Sequence, residues 1–329
     1  MISLISPQGA LLMNRDQMDA HAVFRKDFTV ITNAIAKASS TALEAIFMRQ
    51  TGLIFHGLSR VGKTSCIKTI NSKLRGFMPR AYVIQIEVVK KEGSFTNNIL
   101  DQLATEEGVK FRSRETPVGK LDRISEHVIN RCAEKFCNHW VLLLDEFQRL
   151  RPHDLHVLFD LFNRLDRKGI TMTILSFAMP AVFKQREDLM YAGNSEQLIA
   201  RFMSELIEFK GCTSAQDLAV ILQTFDEKSE YPPKSGITYT NGFAPQAFAT
   251  GFRLEPLHGS FWKALNSASA GGYKNNVPLE HLFLSIRYLL RYLSQNDYSR
   301  IVIPDKLLDE VVQKSNLPQF CMLNGGGQG

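Results

Sequence analysis

Eight residues, Gly57 to Thr64, read GLSRVGKT and put two glycines, a lysine and a threonine at the spacing G-x-x-x-x-G-K-[ST]. Gly57 and Gly62, having no Cβ, open backbone conformations closed to other residues, so successive N–H groups can point inward at an anion. A helix that follows turns its positive end toward the same point. The chemistry of such a loop is phosphate binding. Lys63 reaches the β and γ phosphates of a nucleoside triphosphate, Thr64 offers its hydroxyl to Mg²⁺, and Gly57, Leu58, Ser59, Arg60, Val61, Gly62 and Ser65 line the phosphate chain.

Eighty residues on, Trp140 to Glu146 read WVLLLDE, an apolar run that ends in two carboxylates. A buried parallel strand delivers its last side chains to the carboxyl edge of the sheet, where the phosphate loop also lies. Asp145 is then the second Mg²⁺ group, and Glu146 orients and deprotonates the attacking water. The alternative, a core strand followed by a helix-capping acid, is weakened by the glycine loop upstream. Guanine-specific motifs are missing: DEFQ follows where a GTPase has D-x-x-G, and NRLD (Asn163 to Asp166) falls in DLHVLFDLFNRLDRKG, whose Leu155, Leu158, Phe162 and Leu165 recur at helical spacing. The expected cofactors are therefore ATP and Mg²⁺.

Two further residues are candidates for catalysis. Ser176, at the end of the β-branched run GITMTILSF, would lie between the two motifs and hydrogen-bond the γ-phosphate or the water. Arg201, near the end of the helix in NSEQLIARF, would reach the nucleotide of a neighbouring subunit, unless it is a surface or capping arginine of its own helix.

The elements that must position these side chains are legible as apolar patterns. TGLIF, AYVIQIEVV, WVLLLDE, GITMTILSF and SELIEF read as strands; SCIKTINSKL, LDRISEHVINRCAEKF and the Leu155–Leu165 stretch read as helices between them. Alternation of this kind predicts an α/β fold with a parallel sheet. From about Thr213 the pattern is helical (SAQDLAVILQTF, GSFWKALNSASA, VPLEHLFLSIRYLLRYLSQ, PDKLLDEVVQK), broken by a proline- and glycine-bearing segment at 231–259 expected to be a long irregular insertion.

The chain has 329 residues, 44% hydrophobic and 22% charged, an ordinary globular composition. No apolar run approaches the length of a membrane span and the amino terminus lacks a signal-peptide pattern, so a soluble, cytoplasmic protein without a membrane partner is expected. Five scattered cysteines suit reduced thiols, and His127, Cys132, Cys137 and His139 lack the spacing of zinc hooks. A net charge of +6 and a pI near 9.0 tilt toward a polyanion. Basic residues cluster at Lys90 and Lys91, and at Lys110, Arg112, Arg114 and Lys120, where a solvated loop is the alternative to phosphate contact.

With the glycine loop, LLLDE, a strand-end polar residue and L-I-A-R-F in this order, the chain resembles the AAA+ ATPases. GLIFHGLSRVGKTS and LLLDEFQRL, with the length and motif spacing, resemble the TnsC/TniB transposition regulators, close to those of Cascade-guided CRISPR-associated transposons. The resemblance implies an AAA+ P-loop domain, a five-stranded parallel sheet flanked by helices, with a C-terminal α-helical lid. It divides the chain into an arm at 1–30, a nucleotide-binding core at 31–212, a lid at 213–316 and a flexible tail at 317–329. It also implies a hexameric ring or helical filament on duplex DNA, of any sequence, that links a TniQ-type selector with Cascade to the transposase subunits TnsA and TnsB. ATP hydrolysis, dependent on assembly, would let that filament come apart in a nucleoid-associated setting. Ser176 takes the place of the first sensor, Arg201 that of a trans-acting finger, and Lys274, after Gly271 and Gly272, or Arg287 further along, that of a second sensor. The loop after the second strand faces DNA in this family, which implicates Lys90, Lys91, Arg112 and Arg114. An AAA+ or STAND-like switch acting only on protein partners is the alternative function.

Overall fold

In the computed structural model of the chain, which describes residues 15–90, 98–193 and 195–324, the apolar runs become one parallel sheet. Its strands are β1 (Gly52–His56), β2 (Tyr82–Glu87), β3 (His139–Asp145), β4 (Thr171–Ala178) and β5 (Leu206–Glu208), in spatial order β2-β3-β4-β1-β5. Leu144 pairs with Ser176 and Ser176 with Ile54, so β3, β4 and β1 run level toward one edge. All seven residues of β3 are buried, which is why the run reads as continuously apolar: a parallel sheet is covered on both faces.

Side chains alternate across the sheet. Ile54, Ile84, Ile86, Leu142, Leu144 and Ile174 join one core with the helices Asn98–Glu106, Pro117–Glu134 and Pro152–Asp166. Helix Pro117–Glu134 starts where Thr116 accepts a hydrogen bond from the Gly119 N–H (3.1 Å) and Pro117 opens the first turn. The buried carboxylate of Asp154 binds the N–H of Arg151 at its own helix start (3.1 Å) and the N–H of Ile99 (3.3 Å), tying two helix beginnings together. On the other face Phe55 stacks on Phe177 with centroids 5.2 Å apart. This α/β unit comprises residues 35–59 and 63–209.

A second unit gathers residues 1–34, 60–62 and 210–329. Its described part is helical, with helices at Ala215–Gln223, His258–Ala268, Leu279–Gln295 and Asp305–Lys314 burying Leu222, Phe261, Leu265, Ile286, Leu289, Leu290 and Leu308. The short helices Arg15–Ala20 and Ala22–Arg25 belong here too: His21 packs its ring against Tyr231 (4.3 Å) and Phe243 (4.6 Å). The segment 231–259 differs from the irregular insertion expected. It forms the helices Tyr239–Phe243 and Pro245–Ala249 and a tight turn at Glu255–Leu257. Two carboxylates organise it: Asp226 accepts from Thr240 Oγ1 and the N–H groups of Leu254 and Glu255, while Asp297 accepts from the N–H groups of Gln246 and Ala247. Helices of five residues are too short to show a period, so proline and glycine dominated the pattern. The expected tail likewise begins as a helix, Leu317–Asn324, with Leu317 and Cys321 buried; residues 325–329 lie outside the described residues. Among the described residues no helix is long and apolar enough to cross a membrane.

Candidate nucleotide site

The glycine loop leaves β1 at its carboxyl end and runs into the helix Lys63–Phe77. Its left-handed residues are Arg60 (φ 64°) and Gly62 (φ 106°); a Cβ at Gly62 would be strained in any surroundings. Gly57, expected to share that role, does not: its N–H donates to the Ala178 carbonyl (3.1 Å) and prolongs the β1–β4 ladder. Lys63, only 6% exposed, donates to the carbonyls of Gly57 (2.8 Å) and Leu58 (2.7 Å) and comes within 3.3 Å of Met179 Sδ. Burial pulls the pKa of this ammonium down, and the charges of Glu146 and Asp145 partly restore it. The guanidinium of Arg60, whose residue is counted with the helical unit, pairs there with Glu280 and lies over the Phe320 ring.

Thr64 Oγ1 donates to Asp145 Oδ2 at 2.8 Å, bringing together two groups 81 residues apart in sequence. This donor set fits a hard cation with oxygen ligands: one hydroxyl and one buried carboxylate, with a lysine nearby held by two backbone carbonyls. Thr64 and Asp145 would hold Mg²⁺, and Lys63 with the loop backbone the phosphates of ATP.

Glu146 follows immediately and takes left-handed backbone (φ 60°), which ends β3 and starts a tight turn at Phe147–Arg149. Its Oε2 accepts from Gln148 Nε2 (2.8 Å) and lies 3.3 Å from Arg149 Nη2. Gln148 in turn accepts the Met179 N–H on Oε1 (2.8 Å), and Arg149 donates to the Val88 carbonyl (3.1 Å). Sequence reasoning missed both residues, although they follow directly in DEFQR. His56, at the exit of β1, was missed as well. Burial lowers its pKa, with Glu208 raising it and Lys63 lowering it further.

The remaining expectations separate. Ser176 is not at the exit of β4. The strand runs on to Ala178, and Ser176 pairs level with Ile54 and Leu144 inside the sheet, 1% exposed, its hydroxyl without a partner among the described residues. The residue that leaves β4 beside Lys63 is Met179. Arg201 lies at the other end of the sheet, where its carbonyl accepts from Thr51 Oγ1 (3.0 Å), just before β1 begins. Its guanidinium covers the rings of Phe162 (4.0 Å) and Phe159 (4.9 Å) and donates to Asn163 Oδ1 (3.0 Å). Lys274, in the helical unit, donates to the Asn266 carbonyl (2.6 Å), and Arg287 there is half-buried with its pKa drawn down by burial. Lys90, Arg112 and Arg114 are exposed, whereas Lys91 lies outside the described residues. Val89, next to Lys90, is gripped by Gln102 through both its N–H (3.0 Å) and its carbonyl (3.2 Å).

Residues 48–185 match the family model of an AAA domain. No curated protein matches the sequence. Among solved structures, the Aeropyrum pernix ORC2 protein, determined in ADPNP–ADP complexes, is similar with a TM-score of 0.59 at 16% identity, over 90% of this chain and 71% of that one. Drosophila ORC bound to DNA is similar with a TM-score of 0.52 at 14% identity, over 87% of this chain and 64% of that one. These likenesses concern the fold, and with the sheet order and the loop geometry they give one conclusion: the chain has the AAA+ P-loop fold, and its match to an AAA domain lies at residues 48–185.

Proposed function

We propose that this protein is an ATP-hydrolysing AAA+ switch that assembles on duplex DNA, and that its task is the regulation of DNA transposition in the manner of the TnsC/TniB proteins it resembles. The observation that carries the ATPase is the meeting of Lys63, Thr64, Asp145 and Glu146 at one edge of the sheet. Mg²⁺ held by Thr64 and Asp145 would supply charge neutralisation to the phosphates. Lys63 would exchange the carbonyls of Gly57 and Leu58 for phosphate oxygens, and Thr64 and Asp145 would hold the metal. Glu146 takes the proton of the attacking water.

DNA enters through charge and fold. A net charge of +6 and the exposed Lys90, Arg112 and Arg114 suit phosphate contact, which carries little sequence preference and strong salt dependence. One similar structure is described as ORC bound to DNA. The finer reading adds a hexameric ring or filament, a TniQ-type selector with Cascade, and TnsA and TnsB as partners; it rests on the sequence resemblance. In that assembly Arg201 would act in trans only by leaving Phe159, Phe162 and Asn163.

Binding to random-sequence duplex DNA with ATP, with a slowly hydrolysed analogue and without nucleotide tests this reading, with electron microscopy of the bound species. Analogue-dependent, salt-sensitive rings or filaments, lost in Lys63→Ala, are expected. DNA binding that is absent or indifferent to nucleotide would overturn it in favour of a switch acting on protein partners alone.

A further inference from the structure

We infer that Gln148 is the positioning residue for Glu146, acting on it from the turn after β3. The inference rests on Glu146 being the base of the reaction proposed above.

A carboxylate that must accept a proton from water needs one oxygen fixed and the other open. Glu146 has this form. Oε2 takes the Gln148 amide at 2.8 Å and the longer contact from Arg149 at 3.3 Å, while the described residues give Oε1 no partner. The Gln148 amide is itself oriented. Its oxygen is committed to the Met179 N–H (2.8 Å), so only its NH₂ end can face Glu146, and a carboxylate accepts from that end alone.

The bridge also spans two strands. Gln148 comes from the turn that leaves β3, Met179 from the exit of the neighbouring β4, and Met179 Sδ lies 3.3 Å from Lys63 Nζ. Glu146, Gln148, Met179 and Lys63 therefore form one connected path along the sheet edge, from the base to the phosphate-binding ammonium. Left-handed backbone at Glu146 is what folds the turn back so that residues 146 and 148 meet (φ 60°). Ser176 lies inside the sheet, level with Leu144 and Ile54, and its hydroxyl makes no hydrogen bond to this path.

Steady-state ATP hydrolysis, with and without duplex DNA, and equilibrium binding of a slowly hydrolysed analogue test the inference in wild type, Gln148→Ala, Gln148→Glu, Glu146→Gln and the double variant Glu146→Gln/Gln148→Ala. Gln148→Ala should lower kcat roughly tenfold, the scale on which hydrogen-bonded supporting residues act, with KM and analogue affinity within about twofold of wild type. Gln148→Glu keeps an acceptor for Met179 but sets an anion against Glu146. It should fold as wild type does and lose at least as much kcat. In the Glu146→Gln background, Gln148→Ala should add nothing, because the group it orients is already gone. A merely structural role predicts instead that the two losses multiply, or that analogue binding falls with kcat, and either result overturns the inference. Wild-type protein that hydrolyses no ATP overturns the proposed ATPase itself; hydrolysis left unchanged in Gln148→Ala and Gln148→Glu overturns this inference alone.

Discussion

The two ends of the sheet make different use of charge. At the carboxyl edge Lys63, Asp145 and Glu146 are brought close, the backbone is left-handed at Arg60, Gly62 and Glu146, and the lysine is shifted by burial. At the amino edge three basic residues are spent on the chain itself. Arg49 binds the Asn138 carbonyl (3.2 Å), Asn138 Oδ1 (2.8 Å) and Thr171 Oγ1 (3.0 Å); Arg201 is stacked on two phenylalanines; His139 is buried against Thr173 (3.0 Å). Gly52 lets the last turn of the helix Glu196–Phe202 pass, since a Cβ there would lie 2.5 Å from the Arg201 carbonyl. The difference teaches that an arginine next to a phosphate-binding fold is not a catalytic group by virtue of its motif. Here the two differ in place: Arg201 stands at the amino edge over Phe159 and Phe162, Lys63 at the carboxyl edge near Asp145 and Glu146.

Substitutions at the carboxyl edge should abolish function and spare the fold. Lys63→Ala is expected to weaken nucleotide binding by about a hundredfold or more, because it removes the ammonium proposed to hold the phosphates, with the melting temperature within a few degrees of wild type. A binding titration and a thermal melt on the same sample check both halves. Glu146→Gln should retain nucleotide and lose hydrolysis by roughly a hundredfold, read by single-turnover kinetics. A variant of Glu146 that melts early instead would blur the contrast between the two edges.

At the amino edge the expectation reverses. Gly52→Ala should cost about 2 kcal/mol of stability by overpacking against the backbone of Arg201 and Phe202, measured by denaturant unfolding. Arg201→Ala should cost somewhat less, about 1.5 kcal/mol, as two cation–π contacts and a hydrogen bond to Asn163 are lost. Unchanged stability together with hydrolysis that collapses only in the assembled state would break the comparison and restore Arg201 as a trans-acting finger.

The smallest effect concerns pH. Burial, with the nearby charge of Arg49, lowers the His139 pKa from 6.5 to about 4. The fold therefore favours the neutral ring, and the unfolded chain takes up the proton first. The stability tied to His139 is present well above pH 6.5 and is lost as pH falls toward 4, about 1.4 kcal/mol of it by pH 5.5. His139→Gln should flatten that slope in unfolding curves taken between pH 7 and 5.

Much of this architecture was legible because parallel strands buried on both faces write themselves as apolar runs. GLIFH, YVIQIE and HWVLLLD were marked within a residue or two of their ends. The P-loop and the DE pair were legible because their chemistry demands residue types at fixed spacing. Ser176 was misplaced because nothing in FAMP marks the true end of β4. Ala178 and Met179 are as apolar as the strand they close, so the run was ended at Phe177, one residue short of Ala178. The helices within 231–259 escaped because Asp226 and Asp297, which hold them, act from outside the segment.

By itself the sequence determined the chemistry on offer: a glycine loop for phosphates, a lysine, a hydroxyl and two acids, and the apolar periods that make an α/β fold. Tertiary structure alone decided which of these groups meet. The order β2-β3-β4-β1-β5 and its register set Thr64 against Asp145, placed Ser176 level with Ile54 and Leu144 inside the sheet, and sent Arg201 to the opposite edge. The left-handed turn at Glu146 then gave Gln148 its place. The physical reason is that a motif fixes residue types along the chain, whereas distances across a sheet are set by strand pairing, which no local pattern records.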